Sequence, residues 1–437
     1  MPTIRATTSQ DAASPPANVA PVRALWIAFI ACLAVRGACV YFNGPLEHLF
    51  SDPYRHWENG ARFLAPRIMG SIDPFAYQLW LRVLQWLDRG THIVVLGGTA
   101  ALSMALPFCW YKALRELLPA AWALAGATVI GFMPSLVVIY SYFMNETLLL
   151  TLCACGFWLA LRAMRTASVP TLWALALVWA GASYTRLAAV PLAAMCVVAV
   201  ALVLPWRLRA VLAAAIGIGF GVLAIPACWH SSLNLNFCAP FGADYLNNAY
   251  RVSGARAITL RVPLQREITF ISPAMFDEPL APMSDWESKR RGTRLITIDP
   301  ARGRADWEMA LSEIRDAGSQ LSWWDDKAEN ALMLFFDPSW PEWDRADAWW
   351  RLSLWNRWLW FPLALTVALA LARVRPPPRE ALLPLAGLAL LALLLVQTTG
   401  VMEGRYRKPA EPLLIAGAVV LLHRLWGARR RTRDSSA

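Results

Sequence analysis

Charge is scarce in this chain: 16% of its 437 residues are Asp, Glu, Lys or Arg, where a globular domain carries about 25%. Hydrophobic residues make up 57%, and the mean hydropathy is +0.40. That balance excludes an ordinary water-soluble domain and points to a membrane protein. Other absences narrow the field. The sequence holds no glycine-rich phosphate loop, no metal-type cysteine spacing, no internal repeat, and no small-residue cleavage pattern behind its first hydrophobic stretch. These argue in turn against a soluble nucleotide donor, a thiolate metal centre and a transporter built from repeats, and they make the first stretch a retained helix. The net charge of +11 is scattered over short turns instead of gathered in one patch, so the basic surplus does not read as nucleic-acid binding.

What is present is hydrophobicity in blocks of roughly 15–20 residues, close to the ~20 helical residues that cross a bilayer. Ten blocks are visible: Leu25–Val40, His92–Trp110, Ala121–Tyr140, Thr147–Leu161, Thr171–Tyr184, Leu187–Leu204, Val211–Ala227, Trp355–Leu371, Ala381–Val396 and Pro412–Trp426. The expected fold is therefore an all-α polytopic membrane protein with about ten transmembrane helices. A cytoplasmic N-terminus makes every inward turn basic, from Lys112 and Arg115 through Arg162 and Arg165, Arg207 and Arg209, and Arg373, Arg375 and Arg379 to the tail Arg424–Arg433. That is the positive-inside pattern, and it places both termini in the cytoplasm. The loop 230–351 holds 14 Lys and Arg against 18 Asp and Glu, so the basic surplus is topological.

The organisation expected from this is a disordered tail over 1–21, a transmembrane module over 22–229 with a first outer loop at 41–91, an extracytoplasmic subdomain over 230–351, further spans over 352–426 with an outer loop at 397–412, and a basic tail over 427–437. Two interfacial helices are expected in the first outer loop, each opened by Asp-Pro, at Asp52-Pro53 and Asp73-Pro74, an N-cap followed by a first-turn proline. In the second, Gln78, Arg82 and Gln85 form one polar stripe on an otherwise apolar helix, the pattern of a helix lying on a membrane. In 230–351, Arg304 to Arg315 reads as helix and Ala257 to Phe270 leans to strand. The tryptophans from Trp323 to Trp360 read as an interfacial belt. Arg36, in the outer half of the first block, is expected to snorkel to the surface. Cys32, Cys109, Cys153, Cys155 and Cys196 read as small apolar fillers. Cys228 and Cys238 flank the start of the large outer loop, and their spacing leaves both the paired and the free state open.

Candidate chemistry gathers on the outer side. Residues 49–64 read LFSDPYRHWENGARFL and put Asp52, Tyr54, Arg55, His56 and Glu58 within two helical turns. Short outer turns add Glu146 and Arg186, and residues 397–412 add Glu403, Arg405, Tyr406, Arg407 and Lys408. A carboxylate can take the proton of an attacking hydroxyl, and arginines and a lysine can hold a phosphate as it leaves. The set suits transfer of a group from a membrane-bound phosphate to a hydroxyl or amine. A helix cap explains Asp52 equally without catalysis, since Asp73 sits in the same local context. Asp52, Glu58 and Glu146 offer oxygen ligands to a divalent cation, although no ligand spacing demands one.

The aspartate of SDPYRHWENG in the first outer loop, the acid in SYFMNET, the arginine of SYTR and the late EGRYRKPAEP together resemble the GT-C integral-membrane glycosyltransferases, among them the protein O-mannosyltransferases and the lipid A aminoarabinose transferases. The resemblance implies a bacterial inner-membrane enzyme with a periplasmic active site and a polyprenyl-phosphate-linked sugar as donor. It implies a lipid, glycan or protein acceptor and membrane lipids as surroundings. It assigns Asp52 as catalytic base and Arg405, Arg407, Lys408 and Arg186 to the donor phosphate; beside them Tyr54, Arg55, His56, Glu58, Glu146, Glu403 and Tyr406 read as substrate-binding or supporting residues. Here Asp52 is followed by Pro53, where such enzymes often carry a second acid.

Overall fold

The computed structural model describes residues 19–49, 51–64, 75–235, 238, 258–263, 269–271, 293–298, 308, 312, 331–332, 334–336, 352, 355–396 and 404–434. Each apolar block is helical. The helices are α1 (Val19–Phe42), α2 (Ser51–Ala61), α3 (Phe75–Asp88), α4 (Ile93–Arg115), α5 (Ala120–Phe132), α6 (Pro134–Val138), α7 (Asn145–Thr166), α8 (Val169–Thr185), α9 (Ala189–Val203), α10 (Trp206–Leu235), α11 (Trp360–Val374), α12 (Pro378–Val396) and α13 (Glu411–Asp434). Among the described residues, seven helices are long and apolar enough to cross a membrane, or eight if the bent pair α5–α6 is one span. Helices α8 and α9, of 17 and 15 residues, fall short of that length. The β-leaning stretch of residues 230–351 forms β1 (Ile258–Pro263) and β2 (Thr269–Ile271), which join β3 (Thr293–Ile298) in an antiparallel sheet of order β2-β1-β3. Of Arg304 to Arg315 only Glu308 and Ser312 are described, both helical.

The core is built around α7, the most enclosed of the spans. Leu149, Cys153, Phe157, Ala160 and Leu161 are all buried along it. Phe157 lies between Trp110 of α4 and Trp179 of α8, with ring centroids 6.1 and 5.4 Å away. Large aromatic groups need a flat neighbour to come so close, and Gly156 supplies it: a Cβ there would lie 2.6 Å from the Trp179 ring. Within the expected tryptophan belt, Trp355 and Trp358 are exposed while Trp360 is buried; Trp323, Trp324, Trp340, Trp343, Trp349 and Trp350 lie outside the described residues. Cys228 of α10 forms a disulfide with Cys238.

The third apolar block is not one straight helix. The residue before a proline is pushed out of the helical region, and Met133, before Pro134, takes an extended conformation (ψ 117°), so α5 and α6 meet at 66°. Such a break frees backbone carbonyls inside an apolar bundle, where each must find a donor. Arg36 provides them. It does not snorkel; it is fully buried and donates from Nε to the Ser103 carbonyl (2.6 Å), from Nη1 to the Gly131 carbonyl (2.9 Å) and from Nη2 to the Leu136 carbonyl (2.7 Å), with its guanidinium 5.1 Å from the centroid of the Tyr140 ring. The other side of the break is held by Lys408, whose Nζ donates to the Ser135 carbonyl at 2.7 Å.

The two ends of the bundle differ. One carries the basic turns, where Arg165 pairs with Glu116 at 2.9 Å, Arg379 donates to the Glu116 carbonyl at 3.2 Å, and Arg424 pairs with Glu380. At the opposite end α3 turns into α4 through Arg89, Gly90 and His92, all at positive φ. Asp88 holds this turn by accepting from the backbone N–H groups of His92 (2.5 Å), Val94 (2.7 Å) and Val95 (3.3 Å). Burial works to raise the Asp88 pKa, but these N–H groups outweigh it and hold it below the ordinary value.

Arg36→Leu should destabilise the protein by about 2–5 kcal/mol, because three carbonyls lose a charged donor at once; thermal unfolding of the purified protein in detergent measures it. Asp88→Ala should lower the melting temperature at neutral pH. Because the folded-state pKa of Asp88 is depressed, its contribution is present above the unfolded value of about 4 and fades as pH falls through the folded one, so the gap between variant and wild type should close in acid.

Candidate functional site

The site is assembled from four separate stretches. Helix α2 brings Asp52 in its first turn, and its seat on α3 is close: a Cβ on Gly60 would lie 2.8 Å from Leu81 Cβ. The polar stripe of α3 faces α2, with Gln85 Nε2 donating to the Trp57 carbonyl at 2.9 Å and Arg82 to the Ala61 carbonyl at 3.1 Å, which satisfies the end of α2. Leu79, Val83, Trp86 and Leu87 are left exposed on the other face. His56 is buried edge-on against Tyr77 of α3, and Trp57 stacks on Phe143 from the turn before α7, with centroids 5.2 and 4.9 Å apart.

The second stretch is a 3₁₀ turn over Gly404–Arg407. From it Arg405 reaches back across 353 positions and donates from Nη1 to Asp52 Oδ2 at 3.0 Å, while Arg55, one turn along α2, contacts Oδ1. Third and fourth are the start of α7 and the end of α8, where Glu146, fully buried, pairs with Arg186. Tyr406 joins the two pairs: its ring centroid lies 4.8 Å from the Arg186 guanidinium and 5.5 Å from that of Arg405, the approach of cation–π contacts. The result is one continuous chain of groups, Arg55·Asp52·Arg405·Tyr406·Arg186·Glu146. It carries three guanidiniums and two carboxylates, leaving one positive charge over.

Burial works to raise the Asp52 pKa, yet Arg55 and Arg405, then His56, outweigh it and hold the carboxyl well below the usual carboxylate range. Asp52 is therefore ionised throughout the physiological range. Its side chain is 18% exposed, so solvent damps both influences.

The remaining expected residues separate from this chain. Arg407 and Lys408 turn inward and are buried. Arg407 donates from Nε to Glu411 Oε1 at 3.0 Å and from Nη1 to the Leu334 carbonyl at 2.9 Å. Lys408 holds the helix break through Ser135, whose hydroxyl in turn donates to Glu411 Oε2 at 2.6 Å and accepts from Asn356 at 2.8 Å. Both cations anchor the turn that presents Arg405. Tyr54 is exposed, and Glu58 pairs with Arg62 at 3.0 Å on the surface of α2. Glu403 lies outside the described residues. Among the described residues no group of three or more His, Cys, Asp or Glu is placed to hold a metal ion; the three candidate oxygen ligands Asp52, Glu58 and Glu146 each pair with an arginine instead.

Sequence reasoning passed over Ser135, Asn356 and Glu411. The i,i+4 spacing of Arg407 and Glu411 was a readable sign of an ion pair, and the proline at 134 was a sign of the break that Ser135 lines. No protein-family model matches the chain, and no curated protein is significantly similar to it.

Glu146→Ala should cost about 3–5 kcal/mol, since it strands the Arg186 guanidinium beside Arg405 without its counter-charge. Adding Arg186→Met should recover most of the loss, and a double-mutant cycle on thermal unfolding reads the coupling.

Proposed function

We propose that the protein is a glycosyltransferase of GT-C type that moves a monosaccharide from a polyprenyl-phosphate donor to a hydroxyl acceptor at the outer face of a bacterial inner membrane, with both termini cytoplasmic. The observation that carries this reading is the meeting of Asp52 and Arg405, which joins a candidate proton acceptor to a cationic chain of net charge +1 at one end of an apolar helix bundle.

In this mechanism Asp52 orients and deprotonates the acceptor hydroxyl, which attacks the anomeric carbon with inversion. Arg405 and Arg186, spaced by the Tyr406 ring, hold the phosphate as its charge grows on leaving. Arg407 and Lys408, assigned to the phosphate by resemblance, serve instead as anchors, because they donate to carbonyls and a carboxylate inside the bundle. The exposed apolar face of α3, with Trp86 and Leu87 outward, suits contact with lipid beside the site.

Two other readings are weaker. A transporter is favoured by one observation, the broken span with ionisable groups buried at the break. Those groups are committed to closing it: Arg36 and Lys408 donate to the carbonyls that the break exposes. A ligase acting on a polyprenyl diphosphate glycan shares the need for outer arginines and predicts tolerance of changes at Asp52.

The test is transfer of labelled sugar from a panel of polyprenyl-phosphate monosaccharides in membranes carrying wild type or Asp52→Asn. The variant should lose about 10²–10⁴-fold in rate while remaining folded, with a lower melting temperature because the ion pairs to Arg55 and Arg405 are lost. Survival of transfer leaves Asp52 a structural partner of Arg55 and Arg405, and no transfer from any monophosphate donor favours the ligase.

A further inference from the structure

Both oxygens of the proposed base are engaged by guanidiniums, Oδ1 by Arg55 and Oδ2 by Arg405. A carboxylate so held is a poor proton acceptor, since basicity falls as the ionised form is stabilised. The groups facing it are Arg55 and His56 from α2 and Arg405 from the 3₁₀ turn. Arg55 sits three residues from Asp52 on the same helix and moves with it. Arg405 arrives from another element, and it already lies against the Tyr406 ring that Arg186 also faces. Its guanidinium can therefore turn from Asp52 toward an anion beside Arg186 without leaving the aromatic face.

Resting on the transferase reading above, we propose that Arg405 is a latch on Asp52, which the donor phosphate opens: the anion draws Arg405 toward Arg186, frees Asp52 Oδ2 and so arms the base only when a donor is in place. Arg405 thus acts as a positioning residue for the base as well as a ligand of the phosphate. The donor binds first and the acceptor second. In the step that follows, the acceptor proton passes to Asp52 Oδ2 and the acceptor oxygen bonds to the anomeric carbon. The bond from that carbon to the phosphate oxygen breaks with its electron pair staying on the phosphate. The lipid monophosphate leaves carrying one more negative charge than the diester had, against Arg405 and Arg186. The arrangement also suppresses activation of a stray hydroxyl in the unloaded enzyme, because Asp52 is capped until the phosphate competes for its partner.

The test uses the full chain in nanodiscs and reads modification of the Asp52 carboxyl by a hydrophobic carbodiimide, which attacks the protonated acid, by peptide mass spectrometry. Farnesyl monophosphate is the probe, with farnesol and inorganic phosphate as controls, and binding of radiolabelled farnesyl monophosphate is followed on the same preparation. In wild type, farnesyl monophosphate should raise Asp52 labelling about tenfold, farnesol should not, and inorganic phosphate at equal concentration should do so less. Arg405→Gln should label at the raised level without ligand, and farnesyl monophosphate should add nothing; Arg405→Lys, which keeps the charge, should behave like wild type. Binding of farnesyl monophosphate with unchanged Asp52 labelling in wild type overturns the latch and leaves the transferase reading standing. Absence of binding overturns both. Equal action of inorganic phosphate overturns the lipid-linked part of the assignment. The wild-type arms decide the matter even where a variant does not fold.

Discussion

A backbone carbonyl freed inside an apolar bundle must find a donor, and much of this molecule is arranged around that demand. The break between α5 and α6 frees the carbonyl of residue 131, the short α6 beyond it (Pro134–Val138) leaves those of residues 135 and 136 near its own end, and all three are met by two cations far apart in the chain, Arg36 from the first helix and Lys408 from the last turn. Each is an expensive group to bury, and each is tolerated because it closes a gap that would otherwise be costlier. The break also redirects the chain. After α6 the backbone runs through Ile139–Ser141 into the turn that delivers Phe143 to Trp57 and Glu146 to Arg186.

The same demand fixes the other half of the site. Ser135 ties Lys408 through its carbonyl and Glu411 through its hydroxyl, and Glu411 grips Arg407. With two of its cations committed inward, the short turn has a fixed orientation, and Arg405 is the cation it presents to Asp52. Cations with different partners thus stand side by side in Arg-Tyr-Arg-Lys, and what separates them is the availability of a carboxylate and carbonyls on one flank and of Asp52 and the Tyr406 ring on the other.

Much of this could be read before any coordinates. The apolar blocks are local signals of length and composition, and all became helices. The meeting of Asp52, Glu146, Arg186 and Arg405 at one end follows from the order of basic and acidic turns. What the sequence concealed was long-range. Whether Arg36 faces lipid, water or a broken helix depends on where Gly131 and Leu136 come to lie, 95 and 100 positions away. Arg407 and Lys408 looked equivalent to Arg405 because composition carries no direction. The polar stripe of α3 was visible, but its partner was the carbonyl end of α2, a geometry that no periodicity encodes.

The ion pair between Asp52 and Arg405 spans 353 positions of a 437-residue chain. A ribosome feeding this protein into a membrane releases α2 long before it makes the turn at Arg405, and several spans must be inserted in between. During that interval Asp52 has Arg55 beside it but lacks its distant partner, and the Ser135 carbonyl at the helix break waits for Lys408 over nearly as long a stretch. The charged chain through Asp52 and Arg405 is therefore among the last structures that synthesis can complete. Truncation anywhere before the turn at Arg405 would leave an apolar bundle with its ion-pair chain unfinished, so assembly of the bundle and completion of that charged chain are separated in time by the order of the chain itself.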